Sequence, residues 1–249
     1  MIRQTRLILA LVLLAAAVGH AEETEKIRAL LITGGCCHDY AFQAKAMQLA
    51  AAKHGVHIEW TVVNEGGKET KAQIALYQNP QWADGFDVIV HNECFANTAA
   101  ADYIRSITTA HKKGANAVVI HCAMHTYRAA KIDDWREFLG VTSRRHEHKS
   151  NYAVEVVAKD HEIMKGFPAN YRTPKDELYV IEKVWPNTTV LAKSKSQKND
   201  KSHPVVWTSR YGKARVFGTT YGHSNETFSD ETYLKMLVRV PVGRQANSS

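Results

Sequence analysis

A run of four apolar residues, 117–120 (AVVI), directly follows a helix-like segment that is closed by Gly114. A run so short and so rich in β-branched residues is typical of a buried strand in a parallel sheet. Residues 27–33 and 86–90 form two similar runs, and helical patterns lie between the three. This alternation of strands and helices predicts a parallel, doubly wound sheet with right-handed crossovers.

The second half of the chain has a different pattern, with several short strands joined by short links. Residues 211–213 (YGK) have the composition of a hairpin turn between antiparallel strands. We therefore expect an α/β fold with a mainly parallel central sheet, helices on both faces and an added antiparallel portion in the second half. The predicted strands are residues 27–33, 56–63, 86–90, 117–120, 152–158, 177–182, 188–192, 204–209 and 214–220, and the predicted helices are residues 41–54, 99–113, about 135–140 and 230–239.

The first 21 residues have the pattern of a secretory signal peptide. Arg3 and Arg6 form the positive region, residues 7–18 are apolar, and residues 19–21 (GHA) form a small-x-small cleavage site. The apolar run is shorter than the roughly 20 residues that span a bilayer. The sequence thus predicts an exported protein, periplasmic or secreted, without a stable membrane anchor after cleavage. A single domain at residues 22–240 and a frayed tail at 241–249 would follow.

Charge and cysteine usage exclude two classes of protein. Removing Arg3 and Arg6 lowers the 32 basic residues to 30 against 25 acidic ones, a mild net charge of +5. No basic helix or aromatic interleaving accompanies that charge, so nucleic acid is not an expected partner. Four cysteines lie in the first half, without the spacing of a disulfide scaffold. One bridge or free thiols would both fit.

Histidines and carboxylates follow several predicted strands, at the edge where open α/β sheets bind ligands. We expect His38, His121, His125 and His223 to open onto one rim of the sheet. Imidazoles in such a place bind Zn-type metals or transfer protons. The carboxylates Asp176 and Glu177 precede another strand and would act as base or ligand, or form a cap or a solvated edge. The remaining histidines predicted at surface or loop positions are His54, His57, His111, His146, His148 and His161, with 146 and 148 in a charged, solvated stretch at 144–149.

Cys122 offers a second kind of chemistry. A cysteine after a strand, with His223 and Glu226 later in the chain, has the order of a Cys-His-Glu triad. A nucleophile elbow needs small residues two positions away on either side, whereas this chain has Ile120 and Met124 there. The flanking residues therefore argue against Cys122 as the nucleophile.

Several of these segments together resemble the ThuA-like (trehalose utilisation) family, whose fold is similar to that of class I glutamine amidotransferases. The matching pieces are residues 34–39, 118–128 (VVIHCAMHTYR), 135–140 (WREFLG), 160–166, 176–179 (DELY) and 203–223. The resemblance implies a flavodoxin-like fold, a role in the metabolism of trehalose-type or keto-glycoside sugars and a bound divalent metal. It does not imply a nucleotide cofactor or an amidotransferase nucleophile.

We expect a sugar-active hydrolase, lyase or isomerase that acts on a small carbohydrate through this pocket. The alternatives are a Cys122-dependent, amidotransferase-like hydrolase and a non-catalytic carbohydrate-binding module that uses Trp60, Trp82, Tyr127, Trp135 or Tyr179 as stacking platforms. A homo-oligomer is compatible with each. The predicted catalytic residues are His121, His223, Glu177 and Cys122, the substrate-binding residues are Asp39, Asn92, His125 and Tyr179, and the metal ligands are His38, His121, His125 and His223.

Overall fold

The computed structural model describes residues 26–242, and a single eight-stranded sheet forms the centre of this part of the chain. Strand order in the sheet is β2-β1-β3-β4-β10-β9-β8-β6, with β5 and β7 paired in a separate two-stranded sheet. The strands are β1 (Ile27–Gly35), β2 (Ile58–Asn64), β3 (Val88–Cys94), β4 (Ala117–Ile120), β5 (Val141–Ser150), β6 (Glu155–Val156), β7 (Asp176–Val184), β8 (Thr188–Lys195), β9 (Ser202–Tyr211) and β10 (Ala214–Thr219), and the helices are α1 (Tyr40–Lys53), α2 (Ala101–Lys113), α3 (Asp134–Leu139) and α4 (Glu231–Val242).

The five strands β2, β1, β3, β4 and β10 are parallel to their neighbours, and β9, β8 and β6 then continue the sheet in antiparallel pairs. β3 and β4 are buried along their whole length, as expected for strands covered on both faces. The chain leaves β1 on one side for β2 and returns to its other side for β3. The carboxyl ends of β1 and β3 therefore flank a topological switch point, where such sheets form crevices.

Two apolar layers fill the two faces of the sheet. Side chains of α1 and α4 pack in one layer and side chains of α2 and α3 in the other. The prediction of an α/β fold with helices on both faces and an antiparallel addition is confirmed. On α1, Gln43, Ala44 and Met47 are buried, whereas the apolar side chains of Phe42 and Leu49 are exposed.

Several predicted elements have other bounds in the structure, among them β3, which ends at Cys94 rather than at residue 90. Residues 141–150 form β5 rather than a partly solvated loop, because their backbone pairs with β7 despite the charged side chains. The predicted strand 152–158 is reduced to the two residues of β6 and an isolated bridge between Ala153 and Arg172. The last helix does not end before Pro241 but continues to Val242.

The predicted signal peptide lies outside the described residues, as does most of the predicted tail. Among residues 26–242, no helix combines the length and the apolar character that crossing a membrane requires.

Candidate functional site

Three histidines converge at the carboxyl edge of the parallel strands. His38 follows β1, His121 follows β4, and His223 follows β10. The ring centroids of His38 lie 4.9 Å from those of both other rings, and His121 and His223 are 5.4 Å apart. One ring nitrogen from each residue lies within 4.8 Å of the others. We call these three residues the histidine triangle.

Backbone carbonyl groups determine which nitrogen of two of these rings is protonated. His121 Nδ1 lies 2.6 Å from the Thr220 carbonyl oxygen, and His38 Nδ1 lies 3.0 Å from the carbonyl oxygen of His223. Because a carbonyl oxygen only accepts hydrogen bonds, both Nδ1 atoms carry the proton and both Nε2 atoms keep a lone pair. This arrangement orients imidazoles that bind metals.

Burial keeps the same two imidazoles neutral. It lowers the pKa of His38 to about 4, partly opposed by the hydrogen bond to the His223 carbonyl. Burial, reinforced by the neighbouring His38, lowers the pKa of His121 well below its ordinary value. Neutral imidazole is the form that binds metals, so these two rings are ready to bind one at neutral pH.

The local backbone that positions His121 is unusual. His121 has φ +44°, in the left-handed region that residues with a Cβ seldom adopt. Gly222 lies against it, and a Cβ at Gly222 would come within 2.8 Å of the Tyr233 hydroxyl and 2.9 Å of Ile120. Glycine at this position therefore lets the loop after β10 close onto the end of β4. A backbone outlier of this kind is typical of functional sites.

Glu177 of β7 brings a carboxylate to the histidine triangle. Its Oε2 lies 3.3 Å from His223 Nδ1, 3.4 Å from His146 Nδ1 and 3.8 Å from His121 Nε2. Burial alone would raise the pKa of Glu177, but His223, His146 and His38 together hold that pKa below its ordinary value. The carboxylate is therefore ionised at neutral pH, and its side chain is only 9% exposed.

Asp176, next to Glu177, anchors the loop that carries His223. Its carboxylate accepts hydrogen bonds from the backbone N–H groups of Gly222 and His223 and from the Thr227 hydroxyl. Burial raises the pKa of Asp176 to about 6, partly opposed by these donors. Asp176 thus positions the loop, while Glu177 faces the histidines.

Tyr179 closes one side of the site and separates His125 from the triangle. The Tyr179 hydroxyl lies 3.3 Å from His121 Nε2, and its ring stacks on His125 at 4.0 Å between centroids. His125 Nε2 instead faces the Ser143 hydroxyl at 3.1 Å, and burial lowers the pKa of His125 to about 3. Of the four predicted metal ligands, the structure brings together His38, His121 and His223.

In a comparison with protein-family sequence models, the family described as trehalose utilisation, ThuA, matches residues 28–240. The chain belongs to the ThuA family. A comparison with curated protein sequences found no significant match.

Solved structures with the same fold include other ThuA-like proteins. One from Parabacteroides merdae is 20% identical, with a TM-score of 0.70, over 90% of this chain and 91% of that one. One from Bacteroides uniformis is 17% identical, with a TM-score of 0.62, over 88% and 92% of the two chains. A β-galactosidase from Rahnella sp. R3 matches 90% of this chain with 32% of its own length, at 11% identity and a TM-score of 0.55. At these identities the likeness shows the fold.

The donor atoms of this ThuA chain fit a divalent metal. His38 and His121 each present an unprotonated Nε2, and a carboxylate lies beside them. His223 Nδ1 is buried and makes no hydrogen bond of normal geometry, although Glu177 Oε2 is 3.3 Å away. Three imidazoles and a carboxylate are the ligand types of Zn²⁺ sites, and the His223 nitrogen without a hydrogen bond would supply the third imidazole contact.

Other predicted site residues of the ThuA chain make hydrogen bonds within the fold or are buried in its core. Asp39 accepts from the backbone N–H of Phe42 at the start of α1, and from the side chain of Asn225. Asn92 is buried and donates to Gln43. Four of the five proposed stacking aromatics, Trp82, Tyr127, Trp135 and Tyr179, are buried in the core, and the fifth, Trp60, is half-buried.

Cys122 is bonded to Cys94, and Cys36 is bonded to Cys37. No cysteine of the described chain is free. These two disulfides are more than the one bridge that the sequence suggested. They also leave Cys122 without the free thiol that a nucleophile requires.

The sequence reasoning missed one residue of the site and misplaced another histidine. His146 reaches Glu177 because β5 pairs with β7, with His146 directly opposite Tyr179. The alternation of His146 and His148 around buried Glu147 was the available signal, but the apolar residues that normally mark a strand are absent. His111, predicted at the surface, is fully buried against His91 and Phe138.

Proposed function

We propose that this ThuA-family protein is an exported enzyme that acts on a trehalose-type or keto-glycoside sugar at the histidine triangle, with a divalent metal held by His38, His121 and His223. The observation that carries this proposal is the hydrogen bonding of the ring nitrogens in the triangle. Backbone carbonyls occupy the Nδ1 atoms of His38 and His121, so both Nε2 atoms keep a lone pair, and the partner at His121 Nε2 is the Tyr179 hydroxyl at 3.3 Å. Purely structural histidines normally have both nitrogens satisfied.

The residues around the triangle supply groups suited to proton transfer. A bound Zn-type ion would polarise a sugar carbonyl or hydroxyl oxygen. Glu177, ionised and mostly buried, accepts a proton from the substrate or from water. The Tyr179 hydroxyl, 3.3 Å from His121 Nε2, donates a hydrogen bond to a substrate oxygen. Burial and the nearby Glu177 and Asp176 raise the pKa of Tyr179 well above its ordinary value, so this hydroxyl stays protonated.

Export and carbohydrate binding complete the proposal. The N-terminal signal pattern and the two disulfides both suit an oxidising compartment outside the cytoplasm. The family description supports a sugar as the substrate. The paired Cys94 and Cys122 argue against the Cys-dependent alternative, since that reaction requires a free thiolate.

Elemental analysis and turnover assays test this function together. Protein purified without chelator is expected to hold one divalent metal per chain and to convert a keto-disaccharide, and both properties are lost in His121→Ala. His57→Ala is the matched control, because His57 is exposed and lies beside the start of β1, at the amino ends of the parallel strands rather than at their carboxyl ends. Metal-free wild-type protein that turns over the sugar at full rate would contradict the metal-assisted mechanism.

A further inference from the structure

The four cysteines of the chain meet beside the candidate site although they come from three separate segments. β1, β3 and β4 are neighbours in the sheet, and Cys36-Cys37, Cys94 and Cys122 lie at or just beyond their carboxyl ends. The backbone N–H of Cys36 bonds to the Cys94 carbonyl at 3.4 Å. The Tyr40 hydroxyl donates to the Cys36 carbonyl at 2.9 Å. The fold itself therefore holds the first pair of cysteines against the second.

The two disulfides are arranged in a line that runs from the surface to the interior. Cys37 is exposed, Cys36 is half-buried, and Cys94 and Cys122 are buried. Cys36 Sγ lies 3.8 Å from Cys94 Sγ, which is van der Waals contact between one sulfur of the outer disulfide and one sulfur of the buried disulfide. A sulfur at this distance needs little movement to attack.

Stabilisation of the fold does not account for the outer pair. A disulfide stabilises a protein mainly by closing a loop and so restricting the unfolded chain. Cys36 and Cys37 are adjacent in sequence, so their bond closes no loop. The bond between Cys94 and Cys122, 28 residues apart, does close one. The outer disulfide therefore calls for a chemical explanation rather than a structural one.

We propose that the four cysteines form a thiol–disulfide relay, in which Cys36 and Cys37 carry electrons from small external thiols to the buried pair of Cys94 and Cys122. An external thiolate attacks Cys37, forms a mixed disulfide with it and releases the Cys36 thiolate. Cys36 attacks Cys94, forms a Cys36–Cys94 disulfide and releases the Cys122 thiolate, which takes up a proton.

A second external thiolate then completes the exchange. It attacks the sulfur of the first external thiol in the mixed disulfide with Cys37. The two external thiols leave as one disulfide, and the Cys37 thiolate is released. Cys37 attacks Cys36, restores the outer disulfide and releases Cys94, which takes up the second proton. In total, two external thiols become one disulfide, and the Cys94–Cys122 disulfide becomes two thiols. The outer pair ends unchanged, as a catalyst does, and the new Cys122 thiol lies next to His121 in the chain.

The rate at which dithiothreitol reduces the Cys94–Cys122 bond tests the relay. Acid quenching, alkylation and peptide mass spectrometry follow that bond in wild-type protein and in the double variant Cys36→Ser/Cys37→Ser. The relay predicts at least about tenfold slower reduction in the folded double variant, because direct attack needs the core to open. In denaturing urea the two proteins should react at equal rates. Equal rates in the folded state would overturn the proposal.

The single variant Cys37→Ser is expected to trap the Cys36–Cys94 disulfide, the intermediate of the proposed relay. Without Cys37, the Cys36 thiol faces Cys94 permanently, so a Cys36–Cys94 disulfide with a free Cys122 is expected in a measurable fraction of the molecules. An intact Cys94–Cys122 bond in all molecules would contradict the relay. If the variants do not fold, wild-type protein treated with one equivalent of dithiothreitol serves instead. It should yield peptides linked through Cys36 and Cys94. Finding only the original disulfides, Cys36–Cys37 and Cys94–Cys122, would contradict the relay.

Discussion

The molecule contains two histidine clusters that use the same kinds of side chain in opposite ways. In the histidine triangle, backbone carbonyls take one nitrogen of His38 and of His121, and the other nitrogens face each other. In the core cluster of His91, Glu93 and His111, the ring nitrogens contact partners within the cluster or the adjacent backbone. His111 Nδ1 faces the Ala115 carbonyl at 2.7 Å, His91 Nε2 faces His111 Nε2 at 3.0 Å, and His91 Nδ1 faces Glu93 Oε1 at 2.9 Å.

The difference lies in the partners of the ring nitrogens, because His223 Nδ1 of the triangle has no hydrogen bond whereas every ring nitrogen of the core cluster has a partner. His111 donates through Nδ1 to a carbonyl, so its Nε2 accepts a hydrogen bond from His91 Nε2. His91 Nδ1 in turn contacts Glu93 Oε1. All four nitrogens of the core cluster are used, and both imidazoles and the carboxylate are fully buried. The core cluster is therefore expected to contribute stability, and the triangle to contribute function.

The largest expected effect is on stability, from His91→Leu. This change leaves the Glu93 carboxylate buried without its imidazole partner, which costs about 3–5 kcal/mol of unfolding free energy. Urea unfolding measures that loss, and the metal content of the protein that remains folded should not change. Glu93→Gln is the matched control with a smaller cost, because the amide N–H₂ donates to His91 Nδ1. A His91→Leu protein that is fully stable but loses its metal would reverse the roles assigned to the two clusters.

Removing a member of the triangle should affect metal binding more than folding. His121→Ala deletes one Nε2 and should weaken metal affinity by about a hundredfold or more. Substituting a residue that only hydrogen-bonds to a metal ligand already weakens affinity about 10–100-fold. Competition with a chromophoric chelator measures the affinity. The same titration of His57→Ala should reproduce the wild-type curve. Unchanged affinity in His121→Ala would exclude this residue as a ligand.

A smaller effect is expected when the carboxylate beside the triangle loses its charge. Glu177→Gln keeps the shape of the side chain but removes the group that accepts the proton, so turnover should fall about 10–100-fold while the protein stays folded. Steady-state kinetics on the keto-disaccharide measures the change. Because His146 contacts Glu177 from an exposed position, His146→Ala should reduce turnover less. Equal activity of Glu177→Gln and wild type would contradict the role of this carboxylate as a proton acceptor.

The smallest expected effect is a pH dependence of stability in the metal-free protein. Burial lowers the pKa of His38 to about 4 and that of His125 to about 3 in the folded state, so the unfolded chain binds more protons between the ordinary value of 6.5 and those values. Stability present above pH 6.5 is therefore lost as the pH falls toward 4. Asp176, raised to about 6, acts in the opposite direction, since its ionisation costs stability as the pH rises from 3.8 to 6.

Thermal unfolding in the presence of chelator at pH 7.5 and pH 5 measures this balance. The midpoint should be lower at pH 5 because the histidines outnumber the single acid. In His125→Gln the drop should be smaller by about 2–4 °C, the shift expected for about 1 kcal/mol in a domain of this size. A midpoint that rises at pH 5 would show that Asp176 outweighs the imidazoles.

Much of the fold is predictable from the sequence because buried parallel strands are short apolar runs. β1, β3 and β4 have that pattern, and each lies within a residue or two of its predicted start. β5 was missed because its side chains between residues 144 and 149 are charged or polar, and its pairing with β7 is made by the backbone. The helix α4 passes through Pro241, although a proline usually ends a helix because it lacks the backbone N–H.

The position of the site was predictable from the sequence, but the contacts among its side chains were not. Placement after parallel strands brought His38, His121 and His223 to one edge, as the topology requires. No sequence pattern shows which ring nitrogen meets a carbonyl, that Tyr179 stands between His125 and the triangle, or that His146 approaches Glu177. Those contacts depend on side-chain rotamers and on a strand pair with shifted register. For the same reason His111 was assigned to the surface, although its helix turns it into the core.

A crystal structure of the zinc-loaded protein, with anomalous scattering at the zinc edge, tests the central claim most directly. We predict one zinc ion bound by a ring nitrogen from each of His38, His121 and His223, at the roughly 2.0–2.1 Å that zinc–imidazole bonds adopt. The core cluster of His91, Glu93 and His111 should remain as it is, without metal. Zinc bound at the core cluster or at the cysteines, or no zinc at the triangle after reconstitution, would contradict the account.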